Sequence, residues 1–224
     1  MIPWELLGSE SMPDGYEVRL YRRGEEYSIR VAHYELMNSK AHRSEDALAE
    51  LACAMLQNRE TAQVLVGGLG LGYTTAAALA GLGEEARVVV AELVPAVVEW
   101  NRTFFGHLAG HPLGDRRVVV EIADVADMMR RSRGTFDSIL LDVDNGPQSL
   151  TRRQNDWLYD HAGLSTSYAA LRPRGVLGIW SAGADADFTK RLERTGFEVR
   201  EERSRSRAKR KGSRHTIWLA RRPG

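Results

Sequence analysis

The sequence predicts an α/β fold: a mostly parallel sheet with helices on both faces, closed by an antiparallel strand pair and preceded by a small β-hairpin unit. Three observations carry this. Short, branched, apolar runs at residues 63–66, 87–92, 117–122, 136–141 and 176–180 alternate with helical patterns, as strands buried on both faces do. Two further strand-like segments, 198–204 and 215–220, are separated by a loop too short for a crossover helix, so they pair antiparallel. The first 40 residues instead alternate with period two: residues 16–20 and 27–31 flank the polar turn Arg22-Arg23-Gly24-Glu25-Glu26.

The elements divide into a β-rich unit over 1–43 and a larger unit over 44–224. A hairpin alone is marginal, and its apolar face asks for cover by the main unit or by a second copy in a homodimer. Ser44, followed by Glu45 and Asp46, starts a helix whose stripe is Ala47, Leu48, Leu51, Ala52 and Met55. Further helices are expected over 74–80, 94–104, 125–131, 151–171 (broken near Gly163) and 185–195.

The chain has 224 residues, 43% hydrophobic and 27% charged, enough for one well-buried core and unlike a disordered or fibrous chain. It has no apolar run of about 18 residues, and no basic region leads into an apolar one at its start, so a cytoplasmic protein without a membrane span is expected. The lone Cys53 forms no internal disulfide and sits in an apolar helical pattern, as a small buried residue. Net charge is +1, but residues 199–224 carry ten basic and two acidic residues. The run from Arg203 to Arg214 could meet a phosphate backbone or an acidic partner. No aromatic interleaves it, so a base-stacking platform is absent and nucleic acid is the weaker expectation.

The strongest local signal is Val64-Leu65-Val66-Gly67-Gly68-Leu69-Gly70-Leu71-Gly72-Tyr73-Thr74, where a strand hands over to a helix. Glycines permit a tight turn and close approach of a ligand to the backbone, and the helix start offers unpaired amides. The spacing lacks the third glycine of a pyrophosphate fingerprint and the lysine of a triphosphate loop, so it suits an adenosyl ligand without pyrophosphate. Glu92 ends the next strand, where its carboxylate can accept from both ribose hydroxyls, with Leu93 beside it. Asp124 follows the third strand and can accept the adenine amine while Val125 supplies a backbone donor. The fourth strand runs into Asp142-Val143-Asp144-Asn145-Gly146-Pro147, two carboxylates at the carboxyl edge. One can hold a cationic amino group and the other can orient or deprotonate an amine acceptor. No metal site is expected there beyond a weak oxygen-ligand case for magnesium.

With these residues the chain resembles the class I S-adenosylmethionine-dependent methyltransferases, and most closely the spermidine synthase branch of that fold, over residues 16–222. The resemblance implies a Rossmann-like sheet and an adenosine-sulfonium cofactor. Gly67, Gly68, Gly70 and Gly72 would lie against its amino-acid portion, Glu92 on the ribose and Asp124 at the adenine. The polyamine enzymes usually read Gly-Gly-Gly-Asp-Gly-Gly at the turn, where this chain reads Gly-Gly-Leu-Gly-Leu-Gly. Their Tyr-His-Glu segment corresponds loosely to Arg43-Ser44-Glu45.

The leading expectation is methyl transfer from S-adenosylmethionine to a small-molecule nucleophile, with Asp142 or Asp144 as base. The alternative is aminopropyl transfer from decarboxylated S-adenosylmethionine to an amine, as in polyamine biosynthesis. RNA methylation and a non-catalytic interaction module are the remaining readings. His33, Tyr34 and His42 are candidates to line the acceptor pocket; Trp157, Tyr159, Tyr168 and Trp180 suit core packing better.

Overall fold

The computed structural model describes residues 2–12, 15–32, 34–143, 156–205 and 214–224. A four-stranded antiparallel sheet comes first, in the order β1 (Glu5–Ser11), β2 (Glu17–Arg23), β3 (Glu26–Val31), β4 (Tyr34–Asn38). The expected hairpin is β2–β3, turning between Arg23 and Glu26 through Gly24 at φ 60°. Its flanking strands were not expected. β1 is largely exposed and β4 carries a bulge between its exposed start and its half-buried end, so neither shows the apolar alternation by which a strand is read.

Helix α1 (Arg43–Ala54) leads into the main sheet, whose described strands are β5 (Gln63–Gly67), β6 (Arg87–Glu92), β7 (Val118–Ile122), β8 (Phe136–Leu141), β9 (Leu171–Ser181), β10 (Glu198–Arg205) and β11 (Arg214–Arg221). The order is β10-β11-β9-β8-β5-β6-β7, with β9 to β7 parallel and β11 antiparallel to both its neighbours. Five parallel strands closed by an antiparallel pair is the expected topology. The chain leaves β5 for β6 on one side and returns to β8 on the other, so the β5 turn opens a crevice at the carboxyl edge.

The connecting helices are α2 (Tyr73–Gly81), α3 (Pro95–Trp100), α4 (Val125–Arg130), α5 (Asp156–Tyr159), α6 (His161–Ala170) and α7 (Ala186–Thr195). The helix expected over 94–104 leaves α geometry at Trp100 and continues as a π turn over Asn101–Phe105. That turn aims the buried Asn101 amide at the glycine loop, where it donates to the Leu71 carbonyl at 3.2 Å. The break expected near Gly163 falls at Asp160, which caps α6 by accepting from the Gly163 amide at 2.8 Å. A glycine is needed at 163 because a Cβ there would lie 2.0 Å from the Trp157 carbonyl.

Alternation along β5 sends Val64 and Val66 to one face and Leu65 to the other, and a core lies on each side of the sheet. The first contains Leu20, Ile29 and Val31 of the small sheet together with Leu48, Val66, Val90 and Val97 of the main unit. The hairpin's apolar face is therefore covered within the chain, which removes the reason for expecting a homodimer through it. Cys53 is buried, as expected, and burial pushes its thiol up to about 11. The basic run lies largely outside the described residues, but its flanking strands end with Ser204 opposite His215 and Thr216 opposite Ser181, at the carboxyl edge.

No helix among the described residues is long and apolar enough to cross a membrane. Because one core joins the small sheet to the main one, urea should unfold the chain in a single transition. Leu20→Ala, at a fully buried site in that core, should lower the unfolding free energy by about 2–5 kcal/mol without splitting the transition.

Candidate active site

The glycine turn holds its shape through a carboxylate. Glu92, at the end of β6 and buried, accepts from the Leu69 amide at 2.9 Å on one oxygen and from the Val94 amide at 2.9 Å on the other. Burial raises its pKa, and the amides of Val94, Leu69, Leu93 and Gly70 oppose that shift. The two short bonds, one to each oxygen, tie the turn after β5 to the start of α3 through this carboxylate. Gly68 must be glycine: its φ is 86°, and a Cβ would lie 2.8 Å from the Asp142 carbonyl.

Above this turn lies a cavity of about 140 Å³. Its floor includes Gly68, Gly70, Glu92, Leu93, Asp124, Val125 and Asp142, and its roof is the small sheet, through Met12, Val18, Ile29, Val31, Leu36 and Met37. Apolar walls with a few convergent acids suit a purine nucleoside. Asp124 caps α4, accepting from the Ala126 amide at 2.8 Å through one oxygen. Gly67 does not reach this cavity; a Cβ there would meet Val125 Cγ2 at 2.9 Å, so it serves close packing below the floor. Gly72 lines the adjoining pocket instead, at φ 91° before α2.

That second pocket, about 70 Å³, is lined by Glu45, Asp142, Tyr73 and Trp180 beside residues 69–72 and the same Leu36 and Met37. Asp142 accepts from the Thr74 hydroxyl at 2.6 Å, and Glu45 accepts from Ser44 at 2.7 Å. Asp142 is half-buried by surface area, and that surface opens on the two cavities. Desolvation pushes its carboxyl up to about 6; desolvation and then the Asp142 charge push Glu45 up to about 8. Both shifts favour the neutral form, so burial biases the two carboxyls toward holding their protons. Among the described residues, no Lys, Arg or His side chain lines either cavity.

Glu45 entered the sequence reading only as a helix-start acid and a loose motif match. Its pairing with Asp142 was not legible, because the two stand 97 positions apart on α1 and β8. Tyr73 was likewise missed as a wall; its ring stacks on His42 at 4.0 Å, and His42 in turn meets Asp46 Oδ2 through Nδ1 at 2.8 Å. Trp180 lines the pocket, and its buried Nε1 has no hydrogen-bond partner among the described residues. Tyr34 is exposed and lines neither cavity. Trp157, Tyr159 and Tyr168 pack against Arg130, Phe188 and Phe197, as expected of core and packing aromatics. Asp144 and His33 lie outside the described residues. No cluster of three metal-ligating side chains occurs among the described residues.

Three solved structures resemble this one over nearly its whole length. A spermidine synthase in complex with the transition state analogue AdoDATO has a TM-score of 0.75 at 17% identity, covering 96% of this chain and 72% of its own. A spermidine synthase from Thermotoga maritima gives 0.75 at 16% identity, with the same coverage. The chain has the spermidine synthase fold. A probable spermidine synthase from Corynebacterium glutamicum ATCC 13032 gives 0.67 at 16%, covering 97% of this chain and 79% of its own. No family model and no curated protein matches the sequence.

The raised carboxyls make the folded protein hold more protons than the unfolded chain between about pH 4, the ordinary carboxylate range, and about pH 8. The pair's contribution to stability is full below that window and is lost as pH rises through it. Unfolding free energies measured across the window should fall with pH, and Glu45→Gln should flatten that slope relative to the parent protein.

Proposed function

We propose that this protein transfers an aminopropyl group from decarboxylated S-adenosylmethionine to a small amine. The observation that carries the reading is the Glu45–Asp142 pair, set in a pocket that shares Gly70 and Asp142 with the nucleoside cavity. Two carboxyls and two aromatic walls, with no cationic side chain among the described residues, suit an alkyl ammonium. The likeness to spermidine synthases supports the same choice over methyl transfer, which the sequence had put first.

The residues fit an adenosyl ligand: an apolar cavity of nucleoside character, a diol acceptor in Glu92 and a bare turn at Gly68. A bound sulfonium supplies an activated carbon, which bonds to the amine nitrogen as its bond to sulfur breaks and the electron pair passes to sulfur, leaving methylthioadenosine. Leu93, Val94 and Val125 wall the base, and Asp124 has an oxygen free for its exocyclic amine. Glu45, which lines only the acidic pocket, holds a remote ammonium. Asp142 lines both cavities, so it orients the attacking nitrogen and accepts its proton. Trp180 and Tyr73 exclude water around the carbon chain between them.

Methyl transfer from intact S-adenosylmethionine is the second reading. The bare Gly70 favours it, since no side-chain acid stands at that point of the turn. RNA gains no support from the site, whose acidic lining opposes a phosphate backbone.

Incubation with each cofactor and a set of diamines, followed by mass analysis, should give methylthioadenosine with the decarboxylated form. S-adenosylhomocysteine as the sole nucleoside product would overturn the proposal in favour of methyl transfer. Asp142→Asn, folded by circular dichroism, should lower kcat/KM by about 10²–10⁴.

A further inference from the structure

Strand β4 carries an irregularity that faces the site. Met37 pairs with Ile29 and Glu35 with Arg30, which leaves Leu36 as an extra residue without a partner on β3. In a regular strand, residues 36 and 37 would point to opposite faces of the sheet. Across this bulge both line the nucleoside cavity and both line the acidic pocket. Four residues are common to the two cavities: Leu36, Met37, Gly70 and Asp142. They form the aperture between the chambers, with Met37 facing Gly70. An added Cβ at Gly70 would lie 2.7 Å from Met37 Sδ and 2.9 Å from its Cε, so the thioether fills the volume a side chain there would occupy.

We infer that Met37 is a specificity-determining residue that rejects the carboxylate of intact S-adenosylmethionine; this rests on the aminopropyl-transfer reading. The two forms of the ligand differ by one carboxylate on the arm that must reach the aperture. Three amides of the loop are already engaged. Gly68 donates to the Ala91 carbonyl at 2.9 Å, Leu69 to Glu92 at 2.9 Å and Gly72 to the Leu69 carbonyl at 2.9 Å. Among the described residues no cationic side chain lines either chamber, whereas Glu45, Glu92, Asp124 and Asp142 each line one or both. Met37 closes the remaining space, so a carboxylate at the aperture would be stripped of water against a thioether and set among other carboxylates. An arm ending in an ammonium alone meets no such cost, because Asp142 stands opposite. The bulge is what brings the thioether there; without it, the aperture would hold room for a hydrated anion.

Calorimetric titration of the full chain with decarboxylated S-adenosylmethionine, intact S-adenosylmethionine and methylthioadenosine tests this. The parent protein should bind the decarboxylated form at least about tenfold more tightly than the intact form. Met37→Ala should narrow that ratio by about fivefold or more, through tighter binding of the intact form relative to the decarboxylated one, with methylthioadenosine binding used only to show that the nucleoside cavity is still formed. Met37→Leu, which keeps an apolar plug, should retain the parent ratio. If all three proteins bind methylthioadenosine but the ratio is the same in each, or is near one in the parent, the assignment of Met37 is overturned and the nucleoside site stands. If the folded parent binds none of the three ligands, the functional reading fails and the assignment falls with it.

Discussion

A single buried carboxylate ties together the parts of the molecule that make a site. Glu92 spans from the end of β6 to the turn after β5, taking the amides of Leu69 and Val94 on its two oxygens. Burying a carboxylate is costly unless its lone pairs are used, and here backbone donors use them on both oxygens. The glycine turn, the start of α3 and the floor of the nucleoside cavity thereby share one anchor.

The small N-terminal sheet completes what the main sheet leaves open. Open α/β sheets bind ligands beyond the carboxyl ends of their strands, at the point where strand order reverses. In this chain that crevice is roofed by β2, β3 and β4, which share one continuous core with the main unit. The roof is also selective in shape: the β4 bulge delivers two consecutive apolar side chains to the boundary between the cavities. Beneath it, Asp142 and Glu45 are both desolvated, which biases each carboxyl toward its neutral form.

Much of this architecture was legible in the chain. Five short branched runs, the glycine turn and the terminal strand pair mark a parallel sheet with an antiparallel closure, because period and element length follow from local geometry. Gly68, Gly70, Glu92, Leu93, Asp124, Val125 and Asp142 all line the nucleoside cavity, since strand ends in this topology converge on one edge. Other features escaped for identifiable reasons. The strands β1 and β4 lack alternation because the first is largely exposed and the second is bulged. The α6 start moved to Asp160 because a cap and a close backbone approach at Gly163 outweighed the continuous helical pattern. Gly67 reads like its neighbours in sequence but packs beneath the floor.

What the amino-acid order determined by itself was therefore the sheet, its direction and the residues that line the larger cavity, each written in local periodicity and turn chemistry. Only the tertiary structure decided the lining of the acidic pocket. Glu45, Asp142, Tyr73 and Trp180 line one pocket and Met37 stands over Gly70 because α1, β9 and β4 fold onto the β5 turn from distant parts of the chain. Contacts between residues so far apart leave no local pattern, and a one-residue bulge, which reverses the direction of a side chain, leaves less still.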